Sequence, residues 1–298
     1  MQTARPTYIV FQAYGNEAIL QECVFALLSF SKWHKKEDLD NVEIWIYTDK
    51  PEFFQQFKNC WLPLKFRVVD ASLIKQWRGT IDFVHRVKIE ILRDFVKDHS
   101  GNILYLDSDI TFLQPVNEIV KRIEEGRLYM HVNEGMVAEE SNPIFKKLNR
   151  FIRKEASLKE SVSESIAMWN AGVLGFTNTN SVLEDALQFT DAVYLKFPKH
   201  VVEQFAFSLF CQKQQNVLAA SPYILHYWNL KELRPVLASF FNHFKNVDWD
   251  ELVKYSEMIQ VPVLVQEKIS FLNNKKLFGS SQWHAPIPDW SLLSKQLQ

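Results

Sequence analysis

In the first third of the chain, segments with the hydrophobic pattern of β-strands alternate with segments that have the pattern of helices. Runs rich in β-branched and aromatic residues, typical of strands, are "TYIVFQAYG", "VEIWIYTD", "KFRVVD" and "NILYLDSD". Two intervening segments with helical spacing are "EAILQECVFALLSFSKWH" and "DFVHRVKIEILRDFV". Asn16 is placed to cap the first helix, and the second carries an apolar stripe that starts at Phe83 and continues through Val87. This alternation predicts an α/β fold with a largely parallel sheet.

The second half of the chain is less regular. A helical and then polar stretch, "FKKLNRFIRKEASLKESVSESI", predicts a mobile loop before "MWNAGVLGF". From Lys231 onward the pattern is mainly helical. No internal repeat or low-complexity linker divides the chain. We therefore predict a single domain, with residues 1–230 as the binding and catalytic core and 231–298 as a mainly helical extension packed on it.

The fourth strand-like run ends in two aspartates, within "NILYLDSDITFL". Carboxylates at the end of a buried strand are costly unless a cation meets them. Residues two apart in an extended chain point to the same side, so Asp107 and Asp109 can converge on one ligand. Ligands of such sheets bind beyond the carboxyl ends of the strands. Two hard oxygen donors favour a Mg²⁺ or Mn²⁺ site there, and a solvated turn is the alternative.

Composition narrows the classes of function. The 298 residues are 47% hydrophobic and 23% charged, as in a soluble globular protein. The formal net charge of −1 gives no basic field for nucleic acid, and no apolar stretch approaches the length of a bilayer span. Three scattered cysteines without metal-binding spacing predict free thiols and a cytoplasmic location.

Two chemistries use a D-x-D pattern after an apolar strand: a metal-dependent sugar transferase and an aspartyl-phosphate phosphatase. The run "DSDIT" also fits the phosphatase pattern D-x-D-x-T. That reaction needs a later acidic cluster, usually beside a glycine. The five glycines after the motif are followed by Arg, Met, Val, Phe and Ser, never by Asp. The phosphatase interpretation is therefore disfavoured.

Two later segments offer partners for the aspartates. In "MWNAGVLGF", Gly172 and Gly175 would let a sugar approach the backbone, and the Asn170 amide could donate to it. In "HYWNLKE", the imidazole of His226 is a suitable third ligand for Mn²⁺, and Lys231 could meet phosphates. A buried strand and a structural histidine are the alternatives at these two places.

Taken in order, these fragments resemble the retaining glycosyltransferases of family 8, in the GT-A superfamily. The matching fragments span roughly residues 8–232 and are "AYGN", "HRVKIEIL", Asp107-Ser108-Asp109, Asn170-Ala171-Gly172-Val173, Glu203-Gln204, and His226 with Lys231. The resemblance implies a GT-A fold: Rossmann-like, with a mostly parallel central sheet flanked by helices. It also implies transfer of a sugar, with retention, from a nucleotide-diphosphate donor such as a UDP-sugar.

The resemblance implies a role for each matching residue. Metal ligands for Mn²⁺ (or Mg²⁺) would be Asp107, Asp109 and His226. Donor-binding residues would be Ala13, Tyr14, Asn16, Lys88, Ser108 and Lys231. Catalytic residues facing the donor sugar would be Asn170, Glu203, Gln204 and Arg86. Arg86 and Lys88 are too close along a helix to share a face, and we expect Arg86 to be the one that points inward.

The acceptor would be a hydroxyl of a glycan, a lipid-linked molecule or a protein. The basic segment "QEKISFLNNKKLF" could rest on an anionic membrane, but a surface helix is the expectation. Glu203 stands where the family often has Asp, and "HYWNLKELRP" has no glycine after the histidine. These departures keep an alternative open, a non-catalytic sugar-nucleotide or glycan-binding protein on the same fold.

Overall fold

The structure is a computed structural model and describes residues 5–139, 142–159, 162, 166–178, 180–214, 217–278 and 282–296. Its strands are β1 (Thr7–Gln12), β2 (Val42–Thr48), β3 (Leu64–Val68), β4 (Asn102–Asp107), β5 (Ile110–Phe112), β6 (Tyr129–Met130), β7 (Asn133–Met136), β8 (Ala167–Trp169), β9 (Val173–Thr177), β10 (Leu218–Ala219) and β11 (Ile224–His226). In the segment predicted to be helical and then a mobile loop, Pro143–Lys154 and Ala156–Lys159 are helices, and residues 160–161 and 163–165 lie outside the described residues.

Helices lie between these strands in the sequence and follow the last of them. They are α1 (Glu17–Trp33), α2 (Pro51–Gln55), α3 (Ala71–Trp77), α4 (Arg86–Asp98), α5 (Asn117–Glu124), α6 (Pro143–Lys154), α7 (Ala156–Lys159), α8 (Asn180–Tyr194), α9 (Val201–Gln214), α10 (Leu233–His243), α11 (Trp249–Ser256), α12 (Val261–Phe278) and α13 (Trp290–Gln296), with a 3₁₀ turn at Lys36–Leu39. None of the described helices is both long and apolar enough to cross a membrane.

Within the described residues, seven strands form the central sheet in the order β10-β6-β9-β4-β1-β2-β3. β1 is parallel to both of its neighbours, so that Gln12 lies opposite Tyr47 in β2 and Asp107 in β4. β2–β3 and β6–β10 are also parallel pairs, whereas β9 runs antiparallel to β4 and β6. The predicted α/β fold with a mostly parallel sheet is confirmed.

Both faces of the sheet are buried under helices, as parallel sheets require. Alternate residues of β1 enter different clusters: Ile9 and Phe11 pack on one side, and Val10 packs on the other. β4 does the same with Leu104 and Ile103. The carboxyl ends of these two central strands therefore project from a rigid layer, which is where the first aspartate lies.

The helices after residue 231 pack against the first of these faces. Leu237 and Phe240 of α10 lie in the same apolar cluster as Leu20 of α1. The indole of Trp249 in α11 donates a hydrogen bond of 3.0 Å to the Ser31 hydroxyl in α1. This packing supports our proposal that residues 231–298 extend a single domain.

A small antiparallel pair, β5 with β11, sits beside the main sheet. Its register places His226 opposite Ile110, the residue after Asp109. The Tyr227 amide donates to the Asp109 carbonyl at 2.9 Å, so the pairing continues to the second aspartate. The pair therefore brings a residue from late in the chain to the end of β4.

The helix predicted from "DFVHRVKIEILRDFV" starts later than its apolar stripe suggests. Asp82 has a left-handed backbone (φ 49°), and α4 begins only at Arg86. Phe83 leaves the stripe and stacks on Tyr194 with ring centroids 4.0 Å apart. Val87, Ile91 and Phe95 remain buried, so the rest of the stripe keeps its predicted phase.

Candidate functional site

Two aspartates and one histidine converge at the carboxyl end of β4. Asp107 is the last residue of β4, Asp109 follows two residues later, and His226 ends β11. The His226 Nε2 atom lies 3.2 Å from Asp109 Oδ1 and 3.8 Å from Asp107 Oδ2. One candidate ligand atom from each residue lies within 4.8 Å of the others. Two carboxylates and an imidazole in this arrangement fit a divalent cation such as Mn²⁺ or Mg²⁺.

The Asn170 amide orients the His226 ring. Its Oδ1 accepts a hydrogen bond from the Gly172 amide at 3.0 Å, and its Nδ2 donates to Glu134 Oε1 at 3.1 Å, which together fix which end of the amide is which. His226 Nδ1 lies 2.7 Å from Oδ1 and must donate its proton there. Nε2 faces the two aspartates, so it can donate to Asp109 when it carries a proton and can ligate a metal when that proton is released.

Gly172 is required by the close approach of the same ring. A Cβ atom at this position would lie 2.1 Å from His226 Nδ1, far inside van der Waals contact. The backbone of Gly172 also contributes, because its carbonyl accepts from the Asp107 amide at 2.9 Å. The glycine that the sequence offers for sugar approach therefore makes room for the histidine as well.

A buried lysine stands on the Asp107 side of the cluster. Lys88 Nζ donates to Asp107 Oδ2 at 3.1 Å and to the Ala171 carbonyl at 2.8 Å, and it lies 3.5 Å from Glu203 Oε1. Burial alone would lower the pKa of Lys88, but the negative charges of Asp107 and Glu203 outweigh burial and raise it. The Tyr105 hydroxyl completes the shell by donating to Asp107 Oδ1 at 2.7 Å.

A second lysine stands on the Asp109 side, with its side chain half exposed. Lys231 Nζ donates to Asp109 Oδ2 at 2.7 Å. Burial would raise the pKa of Asp109, but the hydrogen bonds and positive charge of His226 and Lys231 hold the pKa well below its usual range. Asp109 is therefore an anion throughout the physiological range, and Lys231 keeps one face open to solvent.

Glu203 is also buried, but its pKa is raised, whereas that of Asp109 is lowered. Glu203 is 3% exposed, and its Oε1 makes no hydrogen bond within the described structure. Burial, opposed by the charge of Lys88 and aided by that of Asp107, raises its pKa to about 7. A carboxyl with this pKa exchanges its proton near neutrality, which is a property of catalytic acids and bases.

Glu134 of β7 joins the two predicted amides. Its Oε1 accepts from Asn170 Nδ2, and its Oε2 accepts from Gln204 Nε2 at 2.8 Å. A single carboxylate thus sets the orientation of both Asn170, from the β8–β9 turn, and Gln204, from α9. Through Asn170 it also acts on His226.

These groups line one open cleft with a volume of about 550 Å³. That size suits a ligand larger than a single sugar. Ten of the thirteen residues singled out in the sequence border it: Tyr14, Lys88, Asp107, Ser108, Asp109, Asn170, Glu203, Gln204, His226 and Lys231. The structure therefore brings most of the predicted set together at one edge of the sheet.

Arg86 lies outside this cleft, and its expected orientation is reversed. Its guanidinium donates to both oxygens of Asp191, at 2.7 and 3.1 Å, to Glu90 at 2.8 Å and to the Trp77 carbonyl at 2.6 Å. Lys88, two residues later in α4, points inward instead. The physical reason lies in the partners: Asp191, Glu90 and the Trp77 carbonyl hold the guanidinium away from the cleft. Asp107 and Glu203 hold Lys88 toward it.

Two further predicted residues do not border the cleft. Ala13 is fully buried beneath it, where its amide donates to the Tyr47 carbonyl at 2.9 Å. Asn16 caps α1, as its sequence position predicts, and its Oδ1 accepts from the Ile19 amide at 3.1 Å. Tyr14 is the member of this segment that reaches the cleft.

Sequence reasoning missed several groups at the cleft. Glu134 and Tyr105 bond directly to predicted site residues. Glu22 of α1 also borders it, paired through both carboxylate oxygens with Arg234 at 2.9 and 3.1 Å. An acidic residue inside an otherwise apolar helix is the one signal that could have drawn attention to Glu22.

The loop that carries Lys231 is held from behind by α12. Lys268 donates to the Asn229 carbonyl and, at 2.6 Å, to Glu232 Oε2. These two acceptors flank Lys231 in the sequence. Trp228, in the same loop, borders the cleft and is 52% exposed.

No protein-family model matches this sequence, and no curated protein sequence matches it either. Among solved structures, glycosyltransferase GlyE from Streptococcus pneumoniae TIGR4 is similar, with 17% sequence identity and a TM-score of 0.50 over 85% of this chain and 63% of the GlyE chain. The present chain thus spans less than two thirds of GlyE.

Two other glycosyltransferases of known structure are more distant. The galactosyltransferase LgtC, solved with donor and acceptor sugar analogues, has 14% identity and a TM-score of 0.45 over 68% of this chain and 70% of its own. Mouse xyloside xylosyltransferase 1 has 12% identity and a TM-score of 0.47 over 72% and 85%. The likeness to GlyE, together with the strand order, shows that the chain has the GT-A fold of glycosyltransferases.

Proposed function

We propose that this protein is a metal-dependent glycosyltransferase. It transfers a sugar from a nucleotide-diphosphate donor, a UDP-sugar, to a hydroxyl of a glycan, a lipid-linked molecule or a protein. The observation that carries the proposal is the convergence of Asp107, Asp109 and His226 between two lysines, in a cleft at the carboxyl edge of a GT-A sheet.

The donor's diphosphate would lie over this cluster. Asp107, Asp109 and His226 would hold Mn²⁺ or Mg²⁺, which when bound supplies positive charge against the leaving diphosphate. Lys231 is suited to bind the phosphates directly, because its side chain is half exposed and lies 2.7 Å from Asp109. Tyr14 is suited to line the base pocket, since it borders the cleft near the end of β1.

The donor sugar would occupy the side of the cleft formed by Asn170, Glu203 and Gln204. The Gln204 and Asn170 amides share Glu134, so their orientations are fixed before a ligand arrives. Glu203 would accept or release a proton near neutral pH, and Lys88 would keep its charge in balance. We assign Arg86 a structural role, linking α4 to α8 through Asp191.

We further propose retention of the sugar's configuration, as the resemblance to family 8 implies. Proton NMR of the product's anomeric centre tests this point. We also propose a reducing cytosolic location, supported by Cys23, Cys60 and Cys211, none of which forms a disulfide in the described structure.

Calorimetry with Mn²⁺ and UDP tests the central proposal. We expect binding that requires the metal, and slow release of UDP from a UDP-sugar. Asp109→Ala should reduce donor hydrolysis about 1,000-fold. Asp185→Ala, on an exposed position of α8, is the matched control and should leave it unchanged.

Absence of binding by UDP and by every other nucleotide diphosphate tested, with Mn²⁺ present, would contradict the proposal. Tight UDP binding without hydrolysis or transfer, across many acceptors, would favour the non-catalytic binding protein. Hydrolysis that survives Asp109→Ala would overturn the metal assignment.

A further inference from the structure

Helix α6 divides its surface sharply between apolar and basic residues. Phe145, Leu148 and Ile152 are buried in the cluster beneath it. After Pro143, the opposite side carries five exposed basic side chains: Lys146, Lys147, Arg150, Arg153 and Lys154. At 100° per residue these five positions fall within an arc of roughly 120°. The helix contains no acidic residue.

Most of this charge is not neutralised by the protein. Within the described residues, Lys147, Arg150, Arg153 and Lys154 form no ion pair, whereas Arg86, Arg93, Arg122 and Arg234 elsewhere are all paired with carboxylates. Like charges three and four residues apart, such as Arg150 with Lys154, slightly destabilise a helix. The whole chain has a formal net charge of −1, so the basic side of α6 is a local concentration of charge.

The turn between α8 and α9 lies beside this helix. Phe197 stacks on Phe151 of α6 with ring centroids 5.1 Å apart, and Lys196 pairs with Glu155 at 2.6 Å. The turn adds one more exposed cation, Lys199, and the strongly exposed apolar side chain of Leu195, which is 72% exposed. We call the exposed side of α6 together with residues 195–199 the basic surface.

Both parts of the basic surface, α6 and residues 195–199, lie next to the cleft. Ile144 and Phe145 of α6 border the cleft, and so do His200 and Val201, which follow directly after residues 195–199. A partner bound to the basic surface would therefore lie next to that end of the cleft.

We propose that the basic surface docks the protein on an anionic phospholipid membrane. Four unpaired cations in one arc complement negative lipid headgroups, each contributing roughly fivefold to partitioning. Leu195 adds an apolar side chain of the kind that enters the interfacial layer. The apolar side of α6 is occupied by the protein core, so the helix lies on the surface and does not insert. This inference is independent of the proposed enzymatic activity.

Sedimentation with lipid vesicles tests the proposal on the full chain. We expect binding to vesicles of phosphatidylcholine mixed with phosphatidylglycerol, weakening as salt is raised, and no binding to phosphatidylcholine alone. The variant Lys147→Glu, Arg150→Glu, Arg153→Glu should bind at least about 100-fold more weakly. A control with the same charge change on exposed lysines elsewhere, Lys58→Glu, Lys121→Glu, Lys245→Glu, should lose less than about fivefold.

Leu195→Ser keeps every charge and should weaken vesicle binding a few-fold. Circular dichroism and thermal unfolding show whether each variant retains its fold. The proposal is overturned if the protein does not sediment with anionic vesicles at low salt, or if both triple variants lose the same amount. It is overturned equally if the charge reversal abolishes binding to an acidic polymer such as RNA while the protein binds no vesicle.

Discussion

Two buried carboxylates on opposite sides of the cleft have been given opposite properties by their partners. Asp109 is 8% exposed and Glu203 is 3% exposed, so both pay a similar cost of burial. Asp109 receives hydrogen bonds from His226 and Lys231, and its pKa falls. Among the described residues, the only cationic partner of Glu203 is Lys88 at 3.5 Å, which is shared with Asp107, and the pKa of Glu203 rises to about 7.

Because Asp109 and Glu203 are similarly buried but have opposite pKa shifts, burial alone does not predict the role of a carboxylate at this site. The number of cationic partners decides it. An aspartate kept ionised is suited to hold a cation, and a glutamate that titrates near neutrality is suited to move a proton. The Asp109 side of the cleft is therefore suited to bind a cation, and the Glu203 side is suited to exchange a proton.

Among the substitutions that test this contrast, removal of Lys88 should change the free energy of unfolding most. Lys88→Met leaves Asp107 and Glu203 without their shared buried cation, so we expect a loss of about 3–5 kcal/mol in the free energy of unfolding. Lys231→Met is the matched control, because Lys231 is half exposed; it should cost less than about 1 kcal/mol. Urea denaturation measures both. Equal losses in the two variants would contradict the contrast.

The second effect is a pH dependence of stability. Folded Glu203 keeps its proton up to about pH 7, whereas in the unfolded chain the pKa of this carboxyl is near its ordinary value of 4.5. The unfolded state therefore binds fewer protons in this window, and the contribution of Glu203 to stability falls as pH rises. The free energy of unfolding of the wild type minus that of Glu203→Gln should decline by roughly 2–3 kcal/mol from pH 4.5 to 7.

That difference must be measured against the variant because other groups titrate nearby. Burial, aided by the charge of Lys88, lowers the pKa of His85 to about 4, so His85 makes stability rise over part of the same range. It is present in both proteins and cancels in the subtraction. A flat difference curve would show that Glu203 has an ordinary pKa.

The third largest effect should come from removing the hydrogen bond between Asn170 and His226, which orients the imidazole ring. Asn170→Ala removes the acceptor that holds the His226 Nδ1 proton, and we expect Mn²⁺ affinity to fall about 10–100-fold. Electron paramagnetic resonance of free Mn²⁺ gives this affinity without any assay of transfer. Asn149→Ala, in α6, is a control outside the cluster. An unchanged affinity would show that the ring is held by other contacts.

The smallest effect concerns the loop behind Asp109. Lys268→Ala removes the contacts to Asn229 and Glu232, so Lys231 should be positioned less well for phosphate. We expect the dissociation constant for UDP with Mn²⁺ to rise about threefold to tenfold, with little change in Mn²⁺ affinity alone. An equal fall in both affinities would place Lys268 closer to the ion than the structure does.

Those features of the site that follow from local pattern could be predicted from the sequence. Asp107 and Asp109 stand directly after an apolar strand, and the parallel sheet brings that end next to β1. The inward cation could not be predicted, because it depends on distant carboxylates: Asp191 of α8 pairs with Arg86, whereas Asp107 and Glu203 pair with Lys88.

Contacts between distant segments were equally out of reach of the pattern. Glu134 lies in a four-residue strand with no apolar periodicity. Its partners, Asn170 and Gln204, are 36 and 70 residues away in the sequence. Only the folded chain shows that one carboxylate orients both amides. The same holds for Glu22, whose partner Arg234 lies 212 residues later.

The pairing of β5 with β11 also gives the protein an order of assembly. Asp109 and His226 are separated by 117 residues, and Lys268, which holds the loop after His226, lies further still. During synthesis the two aspartates emerge early, but their imidazole partner and its support emerge only with the last quarter of the chain. The proposed metal site would therefore be complete only late in synthesis, so Mn²⁺ affinity would report a completed molecule.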